Sequence, residues 1–551
     1  MSTSTRRNKT LALMVSGGLL WCASAGAAPA IEENPSAVRE QAERINAEAS
    51  IENSLPAAEQ KPQGTSFTLS ALTVEQEAGL KVKQTELESL VAAYVGKTVT
   101  LAELNEAAAK LTRYCRAHGY PAATAYLPPQ TSADGAIRIA VAPGRYGRIS
   151  IDNRSKKLKT AVIKRLTHGL RSGDVIEGKK LETALYNIIG LGGVKAGGML
   201  RPGANSGESD VVILVEDGKQ ETYVLYVNNQ GSKAAGRYRY GFTADWYELG
   251  GNGEHLGVNG MLSNKRQKNF GIRYDQETGH SGTRLGLGVS YANYELGARL
   301  AALGAKGTAT TISFYGSTPL YRTTNNGLNF SYGVDYRDMN DKLNNFGIRT
   351  DKKSYAAHLG INGFQKDKHT LYAYDLKGYW GHLSGDMKAF GLTVPLTQEG
   401  SYAKGTLEAS LLHSFAPRWD ILVKTSAQLA GKDLDSSEEM YLGGATGVRA
   451  YPQGEGSGDS GYQATTELRY HTGVPGLILS TYFDIGHVNA KGNNAVPRNT
   501  TLKGWGVGLT WMRTNDFFAR LDYARRIGMG NNVSQDAEAK GRFWFTLGKV
   551  W

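Results

Sequence analysis

The sequence predicts a closed transmembrane β-barrel of about sixteen antiparallel strands, preceded by two similar α+β units and an N-terminal helix. Three observations predict it. From Tyr223 onward apolar residues recur with period two, in sixteen segments starting near Tyr223, Arg237, Glu254, Asn269, Thr283, Ala309, Gly327, Ser354, Thr370, Tyr402, Trp419, Gly461, Leu477, Thr501, Phe517 and Arg542. In the last, Phe543, Phe545, Leu547 and Trp551 alternate with Arg542, Thr546 and Gly548, one face suiting lipid and the other a polar lumen. The third is a duplicated β-α-α-β-β pattern in residues 65–217.

Composition agrees. Gly 68 against Pro 15 in 551 residues shows no collagen or linker period. Mean hydropathy is −0.37, and beyond the N-terminus no apolar run reaches the ~18 residues of a spanning helix. Lipid offers backbone groups no hydrogen-bond partner, so a spanning sheet has to close. The net charge of +12 arises from Lys and Arg scattered over strands and loops, which favours a cationic lumen over a nucleic-acid surface.

Residues 1–27 read as a secretory signal: Arg6, Arg7 and Lys9 precede an apolar stretch and then small residues from Ala23 to Ala27. Cys22 invites a lipoprotein reading that Trp21 disfavours. Removal of the signal leaves Cys115 alone, with no disulfide to form and the spacing of a core thiol. Residues 31–50 are helix-prone and polar nearly all round, which suits a solvated helix or one plugging a polar cavity. Residues 51–64, with Pro56 and Pro62, are expected to form an extended linker.

The first unit, residues 65–144, is expected to run from a strand at 66–72 through a helix burying Leu87, Leu90, Val91 and Tyr94. A second helix is capped by Thr100 and Glu103, and strands at 123–127 and 136–141 follow. The second unit, residues 145–218, repeats the order, with Gly173-Asp174-Val175-Ile176 matching Gly96-Lys97-Thr98-Val99. An exposed sheet edge in each unit suits strand addition by a partner.

Residues 219–551 form the barrel. An even strand number puts both barrel ends in the periplasm with the two units. In the strand from Gly461, Gln463, Thr465, Glu467, Arg469 and His471 should face the lumen. The loop 430–460 joins the eleventh and twelfth strands on the extracellular side. Its apolar content around Arg449 makes sense if it folds back into the barrel and Arg449 meets a carboxylate. Asp484 shares a face with Tyr482 and Gly486 and cannot face lipid cheaply, so it is the expected partner.

Val448-Arg449-Ala450-Tyr451 resembles the Val-Arg-Gly-Tyr loop motif of two-partner secretion transporters, and Tyr482-x-Asp484-x-Gly486 resembles their Phe-x-Asp-x-Gly strand motif. The resemblance spans the whole mature chain. It implies two POTRA domains and an outer-membrane pore that exports a large partner protein: haemolysin, adhesin, toxin or haem scavenger. That partner would present an N-terminal secretion domain to the periplasmic POTRA pair, and Arg449 would pin the loop to Asp484 as a latch or a fixed brace. Outer-membrane lipid and barrel-assembly machinery are the other implied partners. Ala450 departs from the family's Gly, and Tyr482 from its Phe. If position 450 needs a positive φ, the loop tip should differ.

Catalysis is not expected, nor a cofactor or metal. Gly458-Asp459-Ser460-Gly461 imitates a protease nucleophile segment but sits in a glycine-rich loop, and no HExxH or CxxC occurs. The alternatives are a BamA-like assembly factor, which usually carries more POTRA units, and a diffusion porin, which needs none.

Overall fold

A computed structural model describes residues 50–53, 66–131, 134–492, 499–513, 516–528 and 539–551. The expected signal, the helix 31–50 except Ser50, and most of the linker lie outside the described residues.

The first unit holds β2 (Phe67–Thr68), β3 (Ala71–Gln76), α1 (Gln84–Val91), β4 (Thr98–Val99), α2 (Leu101–Ala117), β5 (Thr124–Tyr126) and β6 (Ala136–Ala142). The first sheet strand is therefore 71–76 rather than 66–72. The earlier residues bend at Ser70, whose hydroxyl donates to the Asp134 carbonyl, and Phe67–Thr68 pairs with β4 instead. α2 starts at a complete capping box: Thr100 Oγ1 accepts from Glu103 N–H, and the Glu103 carboxylate accepts from Thr100 N–H. Leu104, Ala108, Leu111 and Cys115 face inward, and burial pushes the Cys115 thiol up to about 11, the value of an inert core group.

The second unit is β7 (Arg145–Asn153), α3 (Thr160–Leu166), α4 (Gly178–Ile189), β8 (Val194–Pro202) and β9 (Glu208–Asp217). In both units the third sheet strand lies between the other two, parallel to the first and antiparallel to the second. The second sheet gains a member: β1 (Ser50–Asn53) pairs in parallel with β8, from Ser50↔Gly197 to Asn53↔Leu200. This corrects the linker reading of residues 51–53. Ile51 packs onto the core that includes Leu185 and Val211, and an extended segment beside an open edge gains a ladder of hydrogen bonds. Of the second unit's two outer sheet strands, β7 and β8, the β8 edge is thus covered by the chain itself.

Sixteen spanning strands close into an antiparallel barrel, with a short extra strand (Leu392–Pro395) folded back on the ninth. The largest shifts from expectation are Ile348 for Ser354 and Ala305 for Ala309, where strands extend beyond the apolar alternation into extracellular polar residues. The first strand (Glu221–Asn228) meets the last (Gly541–Val550) from Val224↔Val550 to Asn228↔Thr546, and Tyr223 and Trp551 exchange backbone hydrogen bonds of 3.2 and 2.9 Å at the periplasmic rim. Tyr240, Phe242, Ile272, Leu287, Ile312, Leu359, Phe483 and Phe543 are exposed on the outer wall, an apolar belt for outer-membrane lipid.

The second unit sits on three periplasmic turns. On α4, Thr183 Oγ1 donates to the Arg322 carbonyl at 3.0 Å and Glu182 accepts from Thr324 N–H at 2.8 Å. Asn187 donates to the Ser281 carbonyl at 3.1 Å, and Lys159 N–H to the Gly251 carbonyl at 3.0 Å. Beside the last contact, Glu248 is fully buried at φ 57, and its carboxylate accepts from Gly253 N–H at 3.1 Å. Burial, aided by Glu254 and Glu277 and opposed by the Gly253 N–H and by Arg284, pushes its carboxyl up to about 7. Between its ordinary 4.5 and about 7 the folded state holds a proton the unfolded state has lost, so the turn should weaken as pH rises through that window. Glu248→Gln is expected to flatten this dependence, read as hydrogen exchange of residues 248–253 between pH 5 and 8; an unchanged slope would assign it to other groups.

Candidate functional site: the loop folded into the lumen

Between the eleventh strand (Trp419–Ala430) and the twelfth (Ser460–His471) the chain turns back into the barrel. Met440–Tyr441 pairs with Ser457–Gly458, and beyond this hairpin the tip is compact: Val448 N–H donates to the Leu442 carbonyl at 2.7 Å, and Tyr451 N–H to the Val448 carbonyl at 3.1 Å. Leu442, Val448, Ala450 and Tyr451 are buried against Tyr482, Leu502 and Ala524 of the wall. This apolar contact explains the loop's hydrophobicity, since an extracellular loop in water would gain nothing from it.

Arg449 meets Asp484 as expected. Its Nη2 donates to Oδ1 at 2.7 Å, and its Nε and backbone N–H to Oδ2 at 2.9 and 3.1 Å, a two-pronged arrangement that fixes orientation as well as charge. The guanidinium lies over the Tyr482 ring. Asp484, Tyr482 and Gly486 all face the lumen from the thirteenth strand (Leu477–Asn489). A Cβ on Gly486 would lie 2.8 Å from Leu442 Cδ2 and 3.2 Å from Val448 Cγ2, so the glycine lets the loop seat against the wall.

The sequence reading misses several partners. Arg449 Nη1 also reaches Glu467 at 3.2 Å and Asp522 at 3.4 Å; Glu467 accepts from Arg469 at 2.9 Å, and Arg520 bridges Glu467 at 3.1 Å and Asp522 at 2.7 Å. Three arginines therefore balance three carboxylates. Trp544 turns inward from the last strand, and its indole N–H donates to the Arg449 carbonyl at 2.7 Å. Its neighbours Phe543 and Phe545 hide this in an aromatic run, although period two from Arg542 places it on the lumen face. Of the four positions expected on the lipid face, Phe543, Leu547 and Trp551 are exposed and Phe545 is half-buried.

Ala450 is not among the described non-glycine residues with positive φ, which are Glu248, Arg266 and Phe390. The tip accordingly accepts alanine without backbone strain. The protease-like segment is also accounted for: buried Asp459 accepts from the N–H groups of Leu434 and Lys491 at 2.6 and 2.5 Å, and Ser460 Oγ accepts from Ala430 N–H at 3.0 Å. Both residues anchor the roots of the loop.

Below the loop lies a cavity of about 1600 Å³ lined by charged and apolar side chains together. It is bordered by Arg449 and Gln453 of the loop and by Tyr186 and Leu191 at the end of α4, with Arg273, Asp275 and Lys377 on its walls. One continuous space thus joins the second periplasmic unit to the loop that closes the barrel.

Comparison with known proteins accords with this architecture. Residues 207–511 match the family described as haemolysin secretion/activation protein ShlB/FhaC/HecB, and residues 67–144 match the ShlB-type POTRA domain. The heme/hemopexin transporter protein HuxB of Haemophilus influenzae is 28% identical over 515 residues, 90% of this chain and 89% of the relative. The outer membrane transporter CdiB of Dickeya dadantii is 21% identical over 81% of each chain. Among solved structures, CdiB from Escherichia coli superposes with a TM-score of 0.70 at 18% identity, covering 93% of this chain and 96% of that one. CdiB from Acinetobacter baumannii gives 0.64 at 15%, covering 94% and 97%. The chain belongs to the ShlB/FhaC/HecB haemolysin secretion/activation family, the outer-membrane transporters that export partner proteins by two-partner secretion.

Proposed function

We propose that the POTRA pair captures the N-terminal secretion domain of one large exoprotein in extended form and delivers it to the lumen, where the loop around Arg449 is a latch that yields to the passing chain. The cavity running from α4 to Arg449 carries this reading, because a segment handed over by the second POTRA domain enters a continuous conduit with charged groups on its walls. The β8 edge is covered by Ser50–Asn53, so capture there requires this segment to leave, whereas at the β5 edge of the first domain a partner strand would replace only two side-chain contacts, Ala125 N–H to Thr112 Oγ1 at 2.8 Å and Arg116 Nε to the Ala123 carbonyl at 3.0 Å. The expected helix 31–50, which has to end before Ser50 because that residue begins β1, would plug the resting pore and be withdrawn with this strand. Barrel-assembly machinery would insert the barrel. No nucleotide is called for; folding of the cargo outside would prevent its return. A haem- or hemopexin-binding cargo is favoured over adhesin or toxin by the match to HuxB.

The test is secretion of a large β-helical exoprotein encoded beside this protein, with heat-modifiable gel mobility confirming the barrel. The exoprotein is expected in the medium only when this protein is present. Equal secretion without it would sink the reading, and a general loss of outer-membrane proteins on its depletion would favour the assembly-factor alternative.

A further inference from the structure

We propose that the loop carries a second ion-pair clasp, on the arm descending from the eleventh strand, which holds it across the lumen independently of Arg449. The proposal deepens the latch reading and rests on it: the loop leaves the lumen only when both clasps open.

In a chain of net charge +12, the arm carries four acids within seven residues, Asp433, Asp435, Glu438 and Glu439. Two of them are buried against cations of the wall. The Asp435 carboxylate accepts from Lys352 Nζ at 3.2 and 3.1 Å, and Lys352 also lies 3.7 Å from Asp341. Glu438 pairs with Arg337 at 2.9 Å and with Lys404 at 2.8 Å. Hydrogen bonds with the backbone complete the clasp: Lys404 Nζ and Gln428 Nε2 each donate to the Glu438 carbonyl at 2.9 Å, and Ser437 N–H donates to Asp435 Oδ1 at 3.1 Å. As at the tip, three cations face three carboxylates.

The two clasps grip different walls with opposite polarity. Arg337 and Asp341 stand on the seventh strand (Asn326–Leu343), Lys352 on the eighth (Ile348–Lys366) and Lys404 on the tenth (Gly400–Ala416). The tip is held by the twelfth, thirteenth, fifteenth (Phe517–Arg526) and sixteenth strands. In a closed ring of sixteen, the eighth and sixteenth strands face each other, so the loop is a crossbar rather than a flap hinged on one side. The wall supplies cations to an acidic arm and carboxylates to a basic tip, and no residue belongs to both clusters. Loss of one therefore leaves the other charge-balanced.

Cysteine reporters test this in a Cys115→Ser background. Ser436→Cys reads the arm and Val448→Cys the tip, both at buried positions, through the rate of labelling by a membrane-impermeant maleimide in intact outer membranes. Asp435→Asn with Glu438→Gln is expected to raise labelling at position 436 by at least roughly ten-fold while position 448 stays protected, the change that ~1.4 kcal/mol of lost clasp stability produces. Arg449→Ala should do the reverse. Exchanging charges with Asp435→Lys and Lys352→Asp should restore protection at 436, which a role in shape alone would not do. Joint exposure of both reporters in either variant would show a single cooperative unit and overturn the proposal, as would protection of 436 after the arm substitutions. Labelling involves no cargo, so absence of export would sink the export reading while leaving this result to stand or fall alone.

Discussion

Arg449→Ala is expected to insert as a heat-modifiable barrel and to lose partner export. The barrel should survive because its sixteen strands close through backbone ladders that do not involve the loop. The tip should not. Deleting the guanidinium leaves Asp484, Glu467 and Asp522, all at or below 5% exposure, facing only Arg469 and Arg520. Removing one partner of a buried ion pair costs about 3–5 kcal/mol, because the remaining charge is stranded, and that is a hundred-fold or greater shift away from the seated tip. The same physics predicts that Arg449→Ala with Asp484→Ala loses less than the sum of the single changes. High salt should not mimic the substitution, since screening acts weakly on buried pairs. Normal export from a variant whose position 448 has become reactive would show that a seated tip is not needed for transport.

How much of this cluster is legible in the sequence depends on register. Period two alone puts Glu467, Arg469 and Asp484 on the lumen face, and an arginine in an apolar loop demands a carboxylate. Which lumen residues stand at the same height is set by the stagger between strands, and no single strand records it. Asp522 and Arg520 therefore escape notice, although the fifteenth strand itself is placed correctly. Lys352 and Asp435 are hidden for a different reason, being 83 residues apart and brought together only by the folding of the loop into the lumen. The POTRA helices were easier, because the capping box at Thr100 and the spacing of Leu104, Ala108 and Leu111 are local. Strand β1 was harder: four residues have no strand preference strong enough to show until the open β8 edge is beside them.

The alanine at position 450, where the family motif has glycine, leads to the second large effect. Gly504→Ala, a one-carbon change on the fourteenth strand (Asn499–Met512), should loosen the tip markedly, though less than loss of Arg449 does. A Cβ at position 504 would stand 2.6 Å from the Ala450 Cβ and 3.2 Å from the Arg525 carbonyl oxygen, so the methyl of Ala450 fills the space that Gly504 leaves. Neither side can yield, because Ala450 is held between Arg449, fixed to Asp484 and Trp544, and Tyr451, buried with Arg526 over its ring. Overpacking of this kind costs about 1–3 kcal/mol, enough to raise labelling at Val448→Cys by roughly ten-fold or more. Ala450→Gly should then rescue Gly504→Ala by removing the obstructing methyl, while Ala450→Gly alone should cost about 1 kcal/mol or less. Rescue would show that the tip and the fourteenth strand share one methyl's worth of space, filled here from the loop side. Failure of rescue would move the clash to Arg525 and separate Gly504 from the choice of residue at 450.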